Sequence, residues 1–353
     1  MRKITVLFIS LSLALTICAC GKTEENLEPV PTETPIATPV PTSTPTPEPV
    51  YEKGGAVTVE GVLLDSYIVD GVKCVKGEDL LSASKYYTDD GEKYVPIEEW
   101  CEENHIGTLY DEEFDHLYCN YSSGDWTYPE GYDVPVLMYH EVQPESAGGD
   151  GDTVTLENFE LQMQFLHDNG FTTIWFEDLE HIDEITKPII LTFDDGYVGN
   201  YEYMLPVLEK YDMKATIFYF VKPIYHVSRY LTEDQVVELS KSGRIQIESH
   251  TMNHPYLNSI GQDEQKTEIE QSKLEITRLT GQIPYVLAYP YGDTTGYIVD
   301  RIHEGYYKFG VKMVGLRSYN TSDDCATVWR FWPNRDMDIY TYMYTLNSVF
   351  GEN

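Results

Sequence analysis

The sequence predicts an α/β chain in which a (β/α) barrel follows a small α+β module. Three observations predict it. Apolar runs ending at Tyr139, Trp175, Phe193, Val221, Ile247, Tyr289 and Val314 alternate with amphipathic helices, the pattern of a parallel sheet rolled into a barrel. Upstream, the pattern G-x-K-x-V-x-x-E occurs twice, at Gly71–Glu78 and Gly91–Glu98, among short strand signals. Between this module and the N-terminus lies a tract in which Pro29, Pro31, Pro35, Pro39, Pro41, Pro45, Pro47 and Pro49 are interleaved with Thr.

The chain has 353 residues and a formal net charge of -35, with Tyr unusually abundant. No cluster of Lys and Arg offers a phosphate footprint, so a nucleic-acid partner is not expected. The charge favours a neutral or cationic substrate, although most of it reads as a solvated coat. Arg2-Lys3 precede an apolar run, Ile4 to Leu15, that is short for a membrane span but fits an export leader. The run closes on Ile17-Cys18-Ala19-Cys20-Gly21, which resembles a bacterial lipobox with Cys20 as the lipidated residue; Ile17 directly before Cys18 argues against cleavage there. That resemblance implies a leader over 1–20, export, and a lipid anchor on the outer face of the bacterial cell membrane. Repeated proline then makes residues 21–50 an extended tether that lifts the folded part off the membrane. Cys74, Cys101, Cys119 and Cys325 would remain; an oxidising compartment permits a Cys101–Cys119 bridge, but the pairing stays open.

In the module over residues 51–128, strand signals such as Ala56–Val59 and Tyr67–Val69 precede two helical stretches, Asp79–Ser84 and Glu99–Asn104. A strand–helix unit used twice is similar to the stalk-type module at the N-terminus of copper amine oxidases. The resemblance implies spacing or glycan and partner contact; a structural cap on the following domain is the equal alternative. Over residues 129–353 the helix boundaries are legible. One helix carries Phe159, Met163 and Leu166 on a face and stops at Gly170. The next opens on the capping box Thr232–Gln235 and stops at Gly243, and a third runs from Glu264 to Thr280, closed by Gly281.

Chemistry concentrates where four strands end. Pro188–Phe193 runs into Asp194-Asp195-Gly196, and Arg244–Ser249 into His250-Thr251-Met252-Asn253-His254. Tyr285–Tyr289 runs into Pro290-Tyr291-Gly292, and Val134–Tyr139 into His140. Singly, each is ordinary: Asp-Asp-Gly and Pro-Tyr-Gly are turns, and paired His often lie on surfaces. A barrel would bring all four to one face. Two imidazoles and a carboxylate suit Zn²⁺ or a similar divalent ion with open positions, a second carboxylate can take a proton from water, and a further His can protonate a leaving amine. The reaction class is metal-assisted hydrolysis of an acyl group.

Thr192–Gly196 and His250–His254 resemble the first two motifs of the polysaccharide deacetylases, carbohydrate esterase family 4, over roughly residues 134–340. The resemblance implies a distorted (β/α) barrel with Asp194 as general base and Asp195, His250 and His254 as ligands of a divalent metal, Zn²⁺ before Co²⁺, Ni²⁺ or Fe²⁺. It implies Tyr291, through its backbone N–H, at the oxyanion site with Tyr289 beside the substrate. The Arg usual in the third motif is replaced by Ala288, and the usual late Leu-x-His is missing. Both departures are similar to the circularly permuted branch of biofilm poly-N-acetylglucosamine deacetylases, in which the acid His follows a Met-Tyr pair. Met138-Tyr139-His140 fits, which makes His140 the acid. Arg335 is expected to touch substrate or orient Asp194, whereas His226 and His303 read as structural or surface residues. The expected function is N-deacetylation of a cell-surface or extracellular N-acetylglucosamine polysaccharide. The rivals are an O-acetyl esterase on xylan or another glycan, and a non-catalytic glycan-binding lipoprotein.

Overall fold

The computed structural model describes residues 52–80, 83, 85–89, 92–222, 227–314 and 318–350. The expected leader, Cys20, the Pro/Thr tether and His226 lie outside the described residues.

The first module is a sheet with one helix. It contains β1 (Glu52–Val59), β2 (Val62–Val69), β3 (Val72–Lys76), β4 (Tyr87–Asp89), β5 (Glu92–Pro96), α1 (Ile97–Glu103), β6 (Gly107–Asp111) and β7 (His116–Asn120). The order is β4-β5-β3-β2-β1-β7-β6, antiparallel except for the parallel β1–β7 pair. Its core packs Val57, Val75, Val95, Ile97, Trp100 and Leu117 under α1. The expected helix over Asp79–Ser84 is not formed at the described positions, where residues 79, 80 and 83 are turn or irregular. Gly77 donates its N–H to Lys93 O and Asp79 its N–H to Lys76 O, so the chain turns back toward β5 where a helix was expected. Cys101 and Cys119 both lie in this core as neighbouring free thiols, and no bridge joins them.

The barrel follows. Its elements are β8 (Asp133–Val134), β9 (Val136–Tyr139), β10 (Glu141–Gln143), β11 (Thr153–Thr155), α2 (Leu156–Asp168), β12 (Thr172–Thr173), β13 (Pro188–Phe193), α3 (Leu205–Lys210), β14 (Ala215–Tyr219), α4 (Glu233–Ser240) and β15 (Ile245–Ser249). They continue through α5 (Gln262–Thr280), β16 (Val286–Ala288), α6 (Gly296–His303), β17 (Phe309–Val314), β18 (Tyr319–Asn320), β19 (Val328–Arg330) and α7 (Ile339–Phe350). The main sheet runs β12-β13-β14-β15-β16-β17-β19, all parallel, and β9 pairs with β13. Phe331, directly after β19, exchanges backbone bonds with Val136 and Met138 of β9, which brings the last strand round to the first. The caps work as their residue types require. Thr232 and Gln235 make the reciprocal capping box of α4, and Gly281 closes α5 in the left-handed conformation.

Alternate strand residues feed two cores, as a period of two dictates. Leu137, Leu191, Phe193, Ile217 and Ile247 pack outward on Phe159, Met163 and Leu166 of α2 and on other helices. Val136, Ile190, Phe218, Val286, Ala288, Val311 and Val328 pack together inside the barrel. Trp126 and Phe176 join this inner core. The first module touches the barrel near where β16 begins. Arg278 forks onto Asp111 at 2.6 and 2.8 Å and reaches Glu113 at 2.9 Å, and Ile283 N–H donates to Asn120 Oδ1. The C-terminal strand ends, on the far side, carry the polar residues singled out above.

Candidate metal and catalytic site

The ends of β13 and β15 converge. Asp195 Oδ1 lies 3.4 Å from His250 Nε2 and 3.3 Å from His254 Nε2, and the two Nε2 atoms are 3.1 Å apart. A tetrahedral ion with bonds of about 2.0–2.1 Å holds its donors about 3.3 Å apart, so this spacing fits one divalent cation. The tautomer agrees. His250 Nδ1 lies 2.9 Å from Ala288 O, which can only accept, so Nδ1 carries a proton and Nε2 is the ring nitrogen turned toward the other two donors. Asp195 Oδ1 is buried with no hydrogen-bond donor, the orphan expected of an oxygen meant for a cation. Burial opposes ionisation of Asp195, but His250 and His254 outweigh it and lower its pKa. Burial and the neighbouring His250 ring push His254 down to about 4, so it is neutral and ligand-competent near neutrality.

The loop backbone is bent to make this meeting. Asp195, Thr251, His254 and Tyr291 all have positive φ (72°, 70°, 55° and 59°). Such conformations cost of order 1 kcal/mol or more each for non-glycine residues and persist where surroundings impose them. Glu268 on α5 imposes one: its carboxylate accepts Met252 N–H, Asn253 N–H and Asn253 Nδ2, pinning the loop between the imidazoles. Gly196 follows at φ 73°, where an added Cβ would lie 2.7 Å from the Tyr219 ring.

Asp194 is buried beside this cluster. Both its oxygens are gripped by Arg330, Nη1 to Oδ1 at 2.6 Å and Nη2 to Oδ2 at 2.7 Å. The guanidinium is itself fully buried and fixed by Lys312 O and Thr192 Oγ1. Burial raises the Asp194 pKa, yet the Arg330 charge and hydrogen bonds bring it below the ordinary carboxylate value. The Arg missing from the third motif is therefore replaced in space by one on β19. Arg335 does not orient Asp194. Its side chain bonds Gly148 O at 3.2 Å and Glu145 at 3.1 Å, and its N–H donates to Gly151 O, so it holds the 145–151 loop.

His140 follows β9 and lies close enough to lower the pKa values of Asp194, Asp195 and His254 electrostatically. Its Nδ1 is buried without a partner, and its carbonyl accepts Asn200 Nδ2 at 2.9 Å. Tyr291 stands at the mouth, half exposed, edge-on to His254 with ring centroids 4.7 Å apart. Tyr289 is corrected: it is fully buried and donates its hydroxyl to Ala326 O at 2.9 Å within the core of Leu257, Ile269 and Ile298. Strand parity turns it away from the mouth that Tyr291, two residues on, reaches by its left-handed turn. His303 is half exposed and paired with Asp324 at 2.9 Å, a surface position.

Arg330, Glu268 and the Ala288 carbonyl escaped the sequence reading. Arg330 had a signal, a lone cation inside the apolar stretch Val328-Trp329-Arg330-Phe331-Trp332. Glu268 had a weaker one, an acid on the buried face of α5.

Residues 182–313 match the family model for polysaccharide deacetylases. The chain carries a polysaccharide deacetylase domain. The YxkH protein of Bacillus subtilis (strain 168) is 36% identical over 183 residues, covering 50% of this chain and 63% of that one. The poly-beta-1,6-N-acetyl-D-glucosamine N-deacetylase of Escherichia coli (strain K12) is 22% identical over 239 residues, 54% of this chain and 36% of that enzyme. The chain thus spans under two thirds of either relative. Among solved structures, the Streptococcus pyogenes deacetylase PplD, in complex with acetate, superposes with a TM-score of 0.56 at 26% identity, covering 61% of this chain and 98% of that one. The domain's barrel fold matches the expected deacetylase architecture.

Proposed function

We propose that the protein is a metal-dependent hydrolase that removes N-acetyl groups from an N-acetylglucosamine polysaccharide at or outside the cell surface. One observation carries the reading: three ligand atoms spaced 3.1–3.4 Å apart, beside a buried Asp194 that Arg330 keeps ionised. Asp195, His250 and His254 would hold the ion, which would polarise the acyl oxygen and acidify a water; Zn²⁺ suits the donor set best, ahead of Co²⁺, Ni²⁺ or Fe²⁺.

Asp194 takes the proton from the attacking water. Arg330 occupies one lone pair on each carboxylate oxygen, and each oxygen retains another to receive it. The fork fixes the direction of those lone pairs and keeps Asp194 charged before the water arrives. His140 gives a proton to the departing amine, which an amide needs more than an ester does. The backbone N–H of Tyr291 would assist the developing oxyanion. The relative whose name specifies poly-beta-1,6-N-acetyl-D-glucosamine supports the substrate class. Lipidation at Cys20 and display on the outer face of the membrane complete the proposal; the lipobox-like segment supports them.

Acetate release from β-1,6- and β-1,4-linked N-acetylglucosamine oligomers, measured with metal content, tests the reading. Chelation should abolish release and added Zn²⁺ should restore it. Asp194→Asn should lower kcat at least about 100-fold and His140→Ala about 10²-fold or more. Full activity in metal-stripped protein would sink the proposal, and release from acetylated xylan alone would redirect it to O-acetyl esters.

A further inference from the structure

Beside the three ligand residues stands an aromatic ledge that the hydrolytic steps leave unused. Tyr256 and Tyr291 are stacked face to face, with ring centroids 3.7 Å apart and planes 8° from parallel. Both are exposed, 53% and 46%, although two such rings would ordinarily seek burial. Tyr291 touches His254 with its edge, so the ledge adjoins the metal ligands directly. Phe220 and Tyr230 extend the aromatic cluster around His254, with Phe220 5.5 Å from the imidazole and 5.0 Å from Tyr230.

The ledge is held in place. Leu257, next to Tyr256, is fully buried, and Asn258 N–H donates to Asp293 Oδ2 at 3.4 Å, tying the Tyr256 loop to the Tyr291 turn. Gly292 packs against Met313 so closely that an added Cβ would lie 2.8 Å from its backbone N. Tyr291 itself keeps a left-handed backbone that a bulky residue adopts only under constraint. A rigid, open, uncharged aromatic surface suits a flat partner with an apolar face and polar rim. A pyranose ring is such a partner: its C–H groups form the face and its hydroxyls the rim. The chain's net charge of -35 disfavours an anionic sugar.

We propose that the open surface of the Tyr256–Tyr291 stack binds a neutral pyranose ring of the polymer, adjacent to the sugar whose acetyl group is hydrolysed. This rests on the deacetylase reading for the sugar at the triad, but the stacking itself does not require turnover. The pair makes the enzyme select chains over short fragments. A dimer fills the triad and little more, whereas a longer oligomer also covers the ledge.

Binding is the test, made on the full chain carrying Asp194→Asn and loaded with Zn²⁺. Calorimetric titration uses β-1,6- and β-1,4-linked N-acetylglucosamine dimers and pentamers. A pentamer should bind more tightly than its dimer. Adding Tyr256→Ala should weaken the pentamer about tenfold or more, the dimer less than about threefold, and Tyr256→Trp should retain pentamer affinity. Absence of pentamer binding, pentamer affinity indifferent to Tyr256→Ala, or equal loss for dimer and pentamer would each overturn the ledge. If the unsubstituted protein releases no acetate while pentamer binding still depends on Tyr256, the deacetylase reading falls and the ledge stands.

Discussion

Two sets of buried and half-buried carboxyl groups sit in this barrel under opposite electrical regimes. At the mouth, Asp194 and Asp195 are held below the ordinary carboxylate pKa although burial opposes it. In the seam between β15 and β16, burial pushes Glu248 well above its ordinary value, and burial with the charges of Asp178 and Glu60 pushes Glu177 up to about 7. β15 and β16 pair only through Ser249 and Leu287, so the seam opens toward the first module. Glu248 fills part of it by accepting the N–H groups of Tyr285 and Val286, each at 2.8 Å. A cavity of about 120 Å³, lined by Glu60, Asn120, Glu177 and Glu248, lies there. The mouth differs by its fixed partners: a buried guanidinium grips Asp194, and two imidazoles flank Asp195. Burial alone neutralises a carboxyl group, and only fixed positive partners keep one ready to accept a proton.

The largest expected effect comes from abolishing that difference. Arg330→Met should leave Asp194 buried without its cation, destabilising the fold by about 3–5 kcal/mol and lowering acetate release at least as much as loss of Asp194. Because the folded pKa of Asp194 is depressed, its stabilisation is present above the unfolded carboxylate pKa and lost as pH falls through the folded one. Denaturant melts should therefore show the gap between wild type and variant widest near pH 7 and narrowing in acid. A gap independent of pH would mean that the fork does not hold the charge.

Glu177→Gln probes the other regime with the opposite sign. With a folded pKa raised to about 7, the carboxyl binds a proton in the folded state that the unfolded chain has released. Wild-type stability should thus fall as pH rises from the ordinary Glu value toward 7. The Gln variant should match wild type near pH 4.5 and exceed it above pH 7. Equal stabilities at pH 8 would remove the contrast.

Smaller effects separate the mouth from its neighbours. Tyr289→Phe should cost about 1 kcal/mol by orphaning the Ala326 carbonyl and leave kcat within about twofold. A large kcat loss with an unchanged melt would return Tyr289 to the mouth. Arg335→Ala should change stability by no more than about 0.5 kcal/mol and leave acetate release as it was, since its partners lie in the 145–151 loop. Reduced release from this variant would reinstate a role for Arg335 in binding substrate.

The paired carboxylates and the two imidazoles four apart were legible because their spacing is local, and so were helix ends such as Thr232 and Gly281, where capping involves residues within a turn. Alternation of apolar runs with helices sufficed for the barrel. Arg330 and Asp194 are 136 positions apart, and the side chain that completes a buried ion pair can come from any strand that lines the same lumen. Tyr289 and Tyr291 carry the same side chain two residues apart, yet strand parity buries one and a left-handed turn exposes the other. The residue types alone therefore determined the chemistry available to this protein. Which cation faces which carboxylate, and which tyrosine meets solvent, was decided only when the sheet curled and brought distant strand ends within hydrogen-bond range.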